Sequence, residues 1–312
     1  MLSRVADSLF WMSRYIERTE GILRMLKINY ASSQDNTSEF GWNPVLKTFS
    51  FLEESQIAKI EKDSRAVLRF MVIDKDNPNS VVNMVTKSRE NARAVQDHIT
   101  KEVWQCLNEF YHIVCEDKLS KSLKSEDPVS VLDSLIRQGM LYYGTTEITM
   151  SRGEGMCFMS IGRYLERAIQ STDILQVKFK ELPADDAESV TDPSSWKYFL
   201  MSISGYELYL KNYRSGFEVK NILDQIIFNI NFPRSVHYSV YQAQRYFERL
   251  KNERNRDSYD KVNFMIGKLR SNIKFSNVES IVQEGLPNFL DKIHQELFSV
   301  GDALNQHYFA NS

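Results

Sequence analysis

The sequence predicts an all-α protein, a single multi-helix bundle of long helices with no sheet. Glycine and proline, the residues that most often end an element, number only 12 and 7 among 312 residues. Such scarcity favours long helices with few connections. Apolar residues recur at steps of three and four along most of the chain, and no segment sustains the alternation of an exposed strand.

Charge and cysteine content indicate the cellular setting. A net charge of −2 and an isoelectric point near 6.3 give no electrostatic sign of a nucleic-acid or membrane partner. No run of roughly eighteen apolar residues predicts a membrane span, and the first residues lack the apolar core of a signal peptide. The sequence has three cysteines, Cys106, Cys115 and Cys157, and their spacing is not that of metal ligands. This pattern indicates reduced thiols. We therefore expect a soluble, cytoplasmic protein.

Caps and breakers give the predicted helices their order. The first begins behind Ser3, a suitable cap, and is predicted to continue to about Tyr30. Ser80 is predicted to cap one long helix that continues through Val114. The other helices are predicted at 45–52, 56–61, 65–72, 129–150, 156–179, 196–213, 219–228, 233–251, 259–273 and 278–308, the last broken at Pro287.

The stretch from 182 to 195 is the best candidate for a linker. It holds two prolines and four acidic residues, a composition typical of loops. A chain of this length buries enough apolar surface to need neither disulfides nor a structural metal. The expected organisation is a single domain over residues 1–312, with a sub-boundary at 182–195.

One short motif, arginine-tyrosine-apolar-glutamate-arginine, occurs three times, each time inside a predicted helix. The copies begin at Arg14, Arg163 and Arg245. Their unequal spacing excludes a regular solenoid, which leaves three explanations: internal duplication of the first two copies, convergent surface chemistry in all three, and coincidence. Because the first two copies match, we predict that the helices carrying Glu17 and Glu166 pack against each other in the core.

Charged and aromatic residues share one side of the first predicted helix. Ile16 lies in its apolar stripe, whereas Arg14, Glu17 and Arg18 point to the opposite side together with Trp11. Such a helix is expected to lie between neighbours, where a buried arginine needs a carboxylate and a full set of hydrogen bonds. Structural ion pairs are therefore the first interpretation of these groups.

A pocket for a carboxylate or phosphate ligand is the second interpretation. The planar guanidinium group suits this role because it binds such anions through two hydrogen bonds. Glu17 or Glu166 then holds the arginines in place or acts as an acid/base on the substrate. The candidate ligand-binding residues are Arg14, Arg18, Arg89, Arg93, Arg152, Arg163, Arg167 and Arg234.

Other catalytic and metal-binding templates find no match in the sequence. Glu109 and His112 have the E-x-x-H spacing of di-iron bundles, but that fold needs two such steps and no second one is present. The histidines form no metal-binding pair, and neither a nucleotide-binding glycine loop nor a nucleophile elbow occurs. We therefore expect no metal and no cofactor.

Four segments, two of which contain copies of the arginine-tyrosine-apolar-glutamate-arginine motif, occur in a fixed order along the chain. They are residues 2–20, 89–93, 151–168 and 232–236, which begin Leu-Ser-Arg-Val-Ala-Asp, Arg-Glu-Asn-Ala-Arg, Ser-Arg-Gly-Glu-Gly and Phe-Pro-Arg-Ser-Val. In this order they resemble the bacterial Alpha-E family, an all-helical group without an established activity. The resemblance implies association with a co-encoded or fused ATP-grasp protein, circularly permuted and similar to amidoligases, and with a transglutaminase-like protease.

Three functions are compatible with these residues and this resemblance. The first is an accessory or interaction protein of an amidoligase-type system for peptide synthesis or modification, with or without an arginine-lined anion pocket. The second is an enzyme of the same pathway that uses Glu17 or Glu166 as its acid/base. The third is a plain helical scaffold. Convergence of the candidates on one water-filled cavity favours the enzyme, whereas separate dry contacts favour the others.

Overall fold

The computed structural model describes residues 1–34, 41–180, 193–252 and 255–309. Within these ranges every regular element is a helix and no strand occurs, which confirms the predicted all-α fold. The chain forms two compact units, a middle unit, Trp11–Ser151, and a terminal unit, Met1–Phe10 with Arg152–Ser312. No helix in the described ranges has the length and apolar content needed to cross a membrane.

The middle unit is built around its first helix, which has buried residues on every side. Met12, Ile16 and Leu23 are at most 1% exposed, and the polar Ser13 and Glu17 are buried as well. A helix buried all round lies inside a core rather than upon it. The helices that contribute to this unit are α1 (Ser3–Gln34, from Trp11 onward), α2 (Asn43–Phe49), α3 (Glu54–Ile60), α4 (Ser64–Val72), α5 (Val81–Ala94), α6 (Lys101–Cys115), α7 (Asp117–Ser125) and α8 (Pro128–Thr149).

The prediction of one continuous helix from Ser80 to Val114 was wrong. Ser80 does cap α5, but α5 ends at Ala94, and a short 3₁₀ turn precedes α6. The Thr100 side chain accepts a hydrogen bond from the Val103 amide and caps the new helix. Because threonine satisfies amides at the start of a helix, Thr100 begins a second helix where the apolar pattern alone predicted a continuous one.

Within the described residues, the terminal unit contains the first residues of α1, eight further α-helices and two short π-helical segments, Asp224–Phe228 and Asn305–Phe309. Among them, α9 packs against α13 and α16, and α14 also packs against both. Residues 182–192 of the candidate linker lie outside the described residues, and 193–195 begin a helix. The helices are α9 (Glu154–Lys180), α10 (Pro193–Ser202), α11 (Tyr206–Asn212), α12 (Val219–Leu223), α13 (Val236–Glu248), α14 (Arg256–Lys274), α15 (Val278–Glu284) and α16 (Leu286–Leu304).

The break near the end of the chain falls at Gly285 rather than at Pro287. Gly285 has a φ of +91°, a conformation that favours glycine. Pro287 lies in the first turn of α16, where its missing N–H would have had no helical partner. The proline therefore begins a helix, and the glycine separates α15 from it.

The first residues of α1 meet α9 within the terminal unit at Phe10 and Gly162. The predicted packing of the segments that carry Glu17 and Glu166 stays a prediction, because Glu17 belongs to the middle unit. A Cβ atom added at residue 162 would lie 2.4 Å from the carbonyl oxygen of Phe10. The rings of Phe10 and Phe309 pack together with centroids 5.2 Å apart. The ring of Phe158 packs against that of Phe309, with centroids 5.9 Å apart. Glycine is therefore required at 162 because the two backbones touch.

We expect Gly162→Ala to lower the melting temperature. Alanine favours a helix by roughly 0.8–1.0 kcal/mol over glycine, but here the added methyl group meets a backbone carbonyl that cannot rotate away. Overpacking of this kind costs about 1–3 kcal/mol. The matched control is Gly144→Ala in α8, where an added Cβ meets nothing within 4 Å. An equal gain in stability from both changes would contradict the close approach.

Candidate functional site

The first copy of the motif places Glu17 entirely out of solvent, at 0% exposure. The Tyr143 hydroxyl donates a hydrogen bond to Oε2 of Glu17 at 2.6 Å. At the preceding position of α8, the Tyr142 hydroxyl shares a 3.1 Å hydrogen bond with the Ser13 hydroxyl. Because a buried carboxylate is costly without hydrogen bonds, Tyr143 is a structural partner of the Glu17 charge.

An ion pair between Glu20 and Arg24 continues this buried polar face of α1. The two side chains are 4% and 13% exposed. Helix α8 passes close beside them, since a Cβ at Gly139 would lie 3.6 Å from Cγ of Glu20. The sequence analysis missed this pair, although its four-residue spacing is the usual signal for an ion pair along one helix.

Arg14 and Arg18 lie on either side of Glu17 in the motif and belong to the same unit. Arg14 is 8% exposed, and its guanidinium carbon lies 4.5 Å from the centroid of the Trp11 ring. Arg18 donates a hydrogen bond to Oδ1 of Asn79 at 3.4 Å. A guanidinium group over an indole ring is a favourable cation–π contact, and Arg14 therefore contributes to the packing of α1.

Arg89 is held by three residues of α6. Its guanidinium carbon lies 5.4 Å from the centroid of Trp104 and 4.5 Å from that of Tyr111. Its Nε donates to Oδ1 of Asn108 at 3.0 Å. The planar guanidinium group suits such a site because it stacks on rings and hydrogen-bonds at its edge. The sequence identified Arg89 but gave no sign of Asn108.

The residues next to Arg89 in the sequence lie partly in the core and partly on the surface. The Ser88 hydroxyl donates to the Met12 carbonyl at 3.0 Å and fastens α5 to α1. Arg93 lies on the outside with a 65% exposed side chain, 3.8 Å from Glu90. An exposed pair of this kind contributes little to stability. The two arginines of this segment therefore lie in different environments.

The second copy of the motif, on α9, surrounds a buried tyrosine with arginines. Glu166 is 1% exposed and Tyr164 8%. The guanidinium carbons of Arg163 and Arg167 lie 4.6 and 5.4 Å from the Tyr164 ring centroid, and Arg163 donates to its hydroxyl at 3.0 Å. Burial raises the pKa of Tyr164 above its usual value, and the nearby arginine charges offset this only in part.

The third copy of the motif, at the end of α13, meets the second. The rings of Tyr164 and Tyr246 stack with centroids 6.1 Å apart, and Tyr238 contacts Tyr164 edge-on at 6.0 Å. Arg249 lies over the Tyr246 ring at 5.8 Å and donates to the Arg152 carbonyl at 2.6 Å. Two copies therefore use the same tyrosine position to join α9 to α13, which gives the repeated motif a packing role.

The remaining contacts of the candidate arginines are made by Arg167 within α9, by Arg152 just before it and by Arg234 before α13. Arg167 donates to the Pro233 carbonyl at 3.2 Å, and the Ser171 hydroxyl donates to the Arg234 carbonyl at 2.7 Å. Arg152 is exposed at the start of α9. These bonds fasten the turn before α13 to α9 through backbone carbonyls, which fix position rather than recognise a ligand.

Cys157 lies near the start of α9 and is 1% exposed. Burial raises the pKa of its thiol, an effect larger than the opposing influence of the Arg249 charge. A buried neutral thiol behaves as a small apolar side chain. Its contribution is therefore to packing.

The candidate site residues fall into two groups. Arg14, Glu17, Arg18, Arg89 and Arg93 belong to the middle unit, and the terminal unit holds the other five. In the part of the chain that the structure describes, no group of three or more histidine, cysteine or acidic side chains is placed to hold a metal ion. Arg93 and Arg152 are exposed, whereas Arg14, Glu17 and Glu166 lie in packed interiors. Binding of an anion by these residues stays a prediction.

Comparison with protein families gives one match over almost the whole chain. The model of Alpha-E, described as a predicted alpha-helical domain with a conserved ER motif, matches residues 1–309. Two Glu-Arg pairs of this chain, Glu17-Arg18 and Glu166-Arg167, lie in the two motif copies whose glutamates are buried. No solved structure matches the chain.

Similar proteins occur in mycobacteria. Uncharacterised proteins of Mycobacterium bovis and Mycobacterium tuberculosis are each 26% identical to this chain over 328 residues. The match covers 96% of this chain but 36% of each relative. The chain therefore spans about a third of the length of the curated relatives it matches, and in them the corresponding region is joined to further chain.

We expect Glu17→Ala to destabilise the protein by roughly 3–5 kcal/mol, as is typical when one partner of a buried charged contact is removed. The change leaves the Tyr143 hydroxyl without its acceptor and creates a cavity in the core. Urea unfolding followed by circular dichroism measures the effect. Glu109→Ala is the matched control, because Glu109 lies on the exposed face of α6. A Glu17→Ala protein as stable as the control would show that Glu17 has no structural role.

Proposed function

Because this chain belongs to the Alpha-E family, we propose that it is a non-catalytic helical partner of an ATP-grasp amidoligase-type system that makes or modifies a peptide in the cytoplasm. The partners of this proposal are a co-encoded ATP-grasp protein and a transglutaminase-like protease. The three cysteines are free thiols, which supports a reducing compartment. The buried state of the two motif glutamates is the observation that carries the proposal.

Both glutamates considered as acid/base candidates are withdrawn from solvent. Glu17 is 0% and Glu166 1% exposed, and Glu17 is bonded to Tyr143. An acid/base group must come within hydrogen-bond reach of the proton that it transfers. Carboxylates packed in this way support a structural role for the motif, and they favour the partner protein over the enzyme.

Exposed apolar side chains on α8 support an interaction surface on the middle unit. Ile148 is 83% exposed, Met140 57% and Leu141 48%. Leu141 and Ile148 lie seven residues apart and therefore on the same face of the helix. Exposed apolar residues grouped on one face are characteristic of protein-binding surfaces. Helix α1, which carries the first copy of the motif, would then maintain the fold of the middle unit that presents this surface.

The long mycobacterial relatives also support a partnership. About two thirds of their length lies outside the region that matches this chain. Fusion raises the effective concentration of two modules that work together. A module that is fused to a second module in one organism therefore often binds that second module as a separate protein in another organism. A free-standing form would then need a surface with enough affinity to replace the covalent connection.

We expect this protein to co-elute with its co-encoded ATP-grasp protein in size-exclusion chromatography at micromolar concentration. Alone it should neither hydrolyse ATP nor ligate amides. Leu141→Ser with Ile148→Ser should weaken the complex about tenfold or more, since both apolar contacts are lost. The control is Leu210→Ser, on an exposed residue of α11. No complex, together with turnover of a small substrate by this chain alone, would support the enzyme instead.

A further inference from the structure

A groove of about 580 Å³ runs along the surface between α13 and α14 of the terminal unit. Gly267 and Ser271 form part of its lining. Because both residues are small, they leave a depression on the surface of α14 beside Gln244 of α13. A volume of this size accommodates a few side chains of a binding partner. The groove is therefore large enough for a peptide segment and too small for a folded domain.

Two phenylalanines of α14 stand out from the surface at this groove. Phe264 is 71% exposed and Phe275 80%. They lie eleven residues apart, three helical turns, and so project from the same side of α14. Aromatic side chains exposed beside a groove are typical anchors of protein interfaces, because they bury a large area at a small cost in conformational entropy.

The charges around the groove are positive. Lys268, Arg270 and Lys274 line it, and its lining residues include no carboxylate. Arg270 lies over the ring of Tyr241 at 4.7 Å, and Arg245 lies over the same ring at 5.6 Å. These four cations lie on two neighbouring helices, so their fields add at the groove.

A neighbouring histidine responds to this field. The pKa of His237 is lowered, first by burial and further by the charges of Arg270 and Lys274, although its hydrogen bond to the Phe228 carbonyl acts in the opposite direction. The positive potential therefore extends into α13. Two acidic residues of α14, Asp257 and Asp260, lie near its first turn, before the groove residues begin at Asn263.

We propose that this groove binds an acidic peptide segment of a partner protein, with carboxylates on Lys268, Arg270 and Lys274 and apolar side chains against Phe264 and Phe275. This inference rests on the proposed partner role and assigns a second surface to it. Charge complementarity selects the occupant. A peptide fits better than nucleic acid or an anionic membrane, because a long or flat polyanion would also meet the carboxylates of Asp257 and Asp260.

The proposal is tested with the full chain and a fluorescein-labelled fifteen-residue peptide of glutamate, leucine and phenylalanine. A second peptide carries glutamine in place of every glutamate. We expect the acidic peptide to bind at micromolar concentration, with anisotropy as the readout, and the glutamine peptide to bind about tenfold more weakly or worse. Both Lys268→Glu with Lys274→Glu and Phe264→Ala with Phe275→Ala should weaken acidic-peptide binding by a similar factor. These residues are exposed, so the fold should be retained.

The control protein carries Phe51→Ala and Lys121→Glu, two exposed residues of the middle unit, and should bind the acidic peptide like the wild type. Absent binding, or binding that the groove variants leave unchanged, overturns the proposal. If duplex DNA or phosphatidylglycerol vesicles bind as tightly as the acidic peptide, and the same variants lose this binding, the groove is a general anion-binding surface and the proposal is overturned. A dimer that the phenylalanine variants dissolve overturns it in favour of a second copy of this chain.

The failure of this inference is distinguishable from that of the proposed function. If the ATP-grasp protein co-elutes with the wild type and equally well with the groove variants, and the acidic peptide does not bind, the groove is not a binding site and the partner role is retained. If the acidic peptide binds as expected but the ATP-grasp protein does not co-elute, the groove is retained and the identity of the partner changes.

Discussion

Removing the charged motif residues from water is the constraint on which the fold depends. Glu17 and Glu20 in the middle unit and Glu166 in the terminal unit are each almost entirely buried. A buried carboxylate destabilises a fold unless hydrogen bonds and opposite charges meet it. The packing of the helices around it therefore has to deliver specific donors to specific places, and an apolar pattern alone does not achieve this.

Several features of the neighbouring helices follow from that constraint. Tyr143 brings a hydroxyl to Glu17, and Gly139, one turn earlier in α8, allows that helix to pass beside Glu20. In the terminal unit, Tyr164 and Tyr246 stack where two copies of the motif meet. The motif thus combines a charge that needs partners with a tyrosine that packs. Helix packing accounts for the tyrosine position of the second and third copies, and binding of an anion by the motif arginines stays a prediction.

The sequence predicted what depends on local chemistry. The all-α fold, the Ser80 cap and the burial of the Glu17 side of α1 all follow from residues near one another in the chain. It did not predict that Tyr143 would bond to Glu17, because 126 residues separate the two and helical spacing does not say which face meets which. The break between α5 and α6 was not predicted, because apolar residues recur at helical spacing through it. Asn108 was missed because its contact with Arg89 joins two helices.

The central claim is that Glu17 holds the structure together through its hydrogen bond with Tyr143. A double-mutant cycle with Glu17→Gln, Tyr143→Phe and the double variant, followed by urea unfolding, measures that contact directly. We predict a coupling free energy of about 1 kcal/mol or more, since the two groups share one part-buried hydrogen bond. Free energies of unfolding that add to within about 0.3 kcal/mol would contradict it.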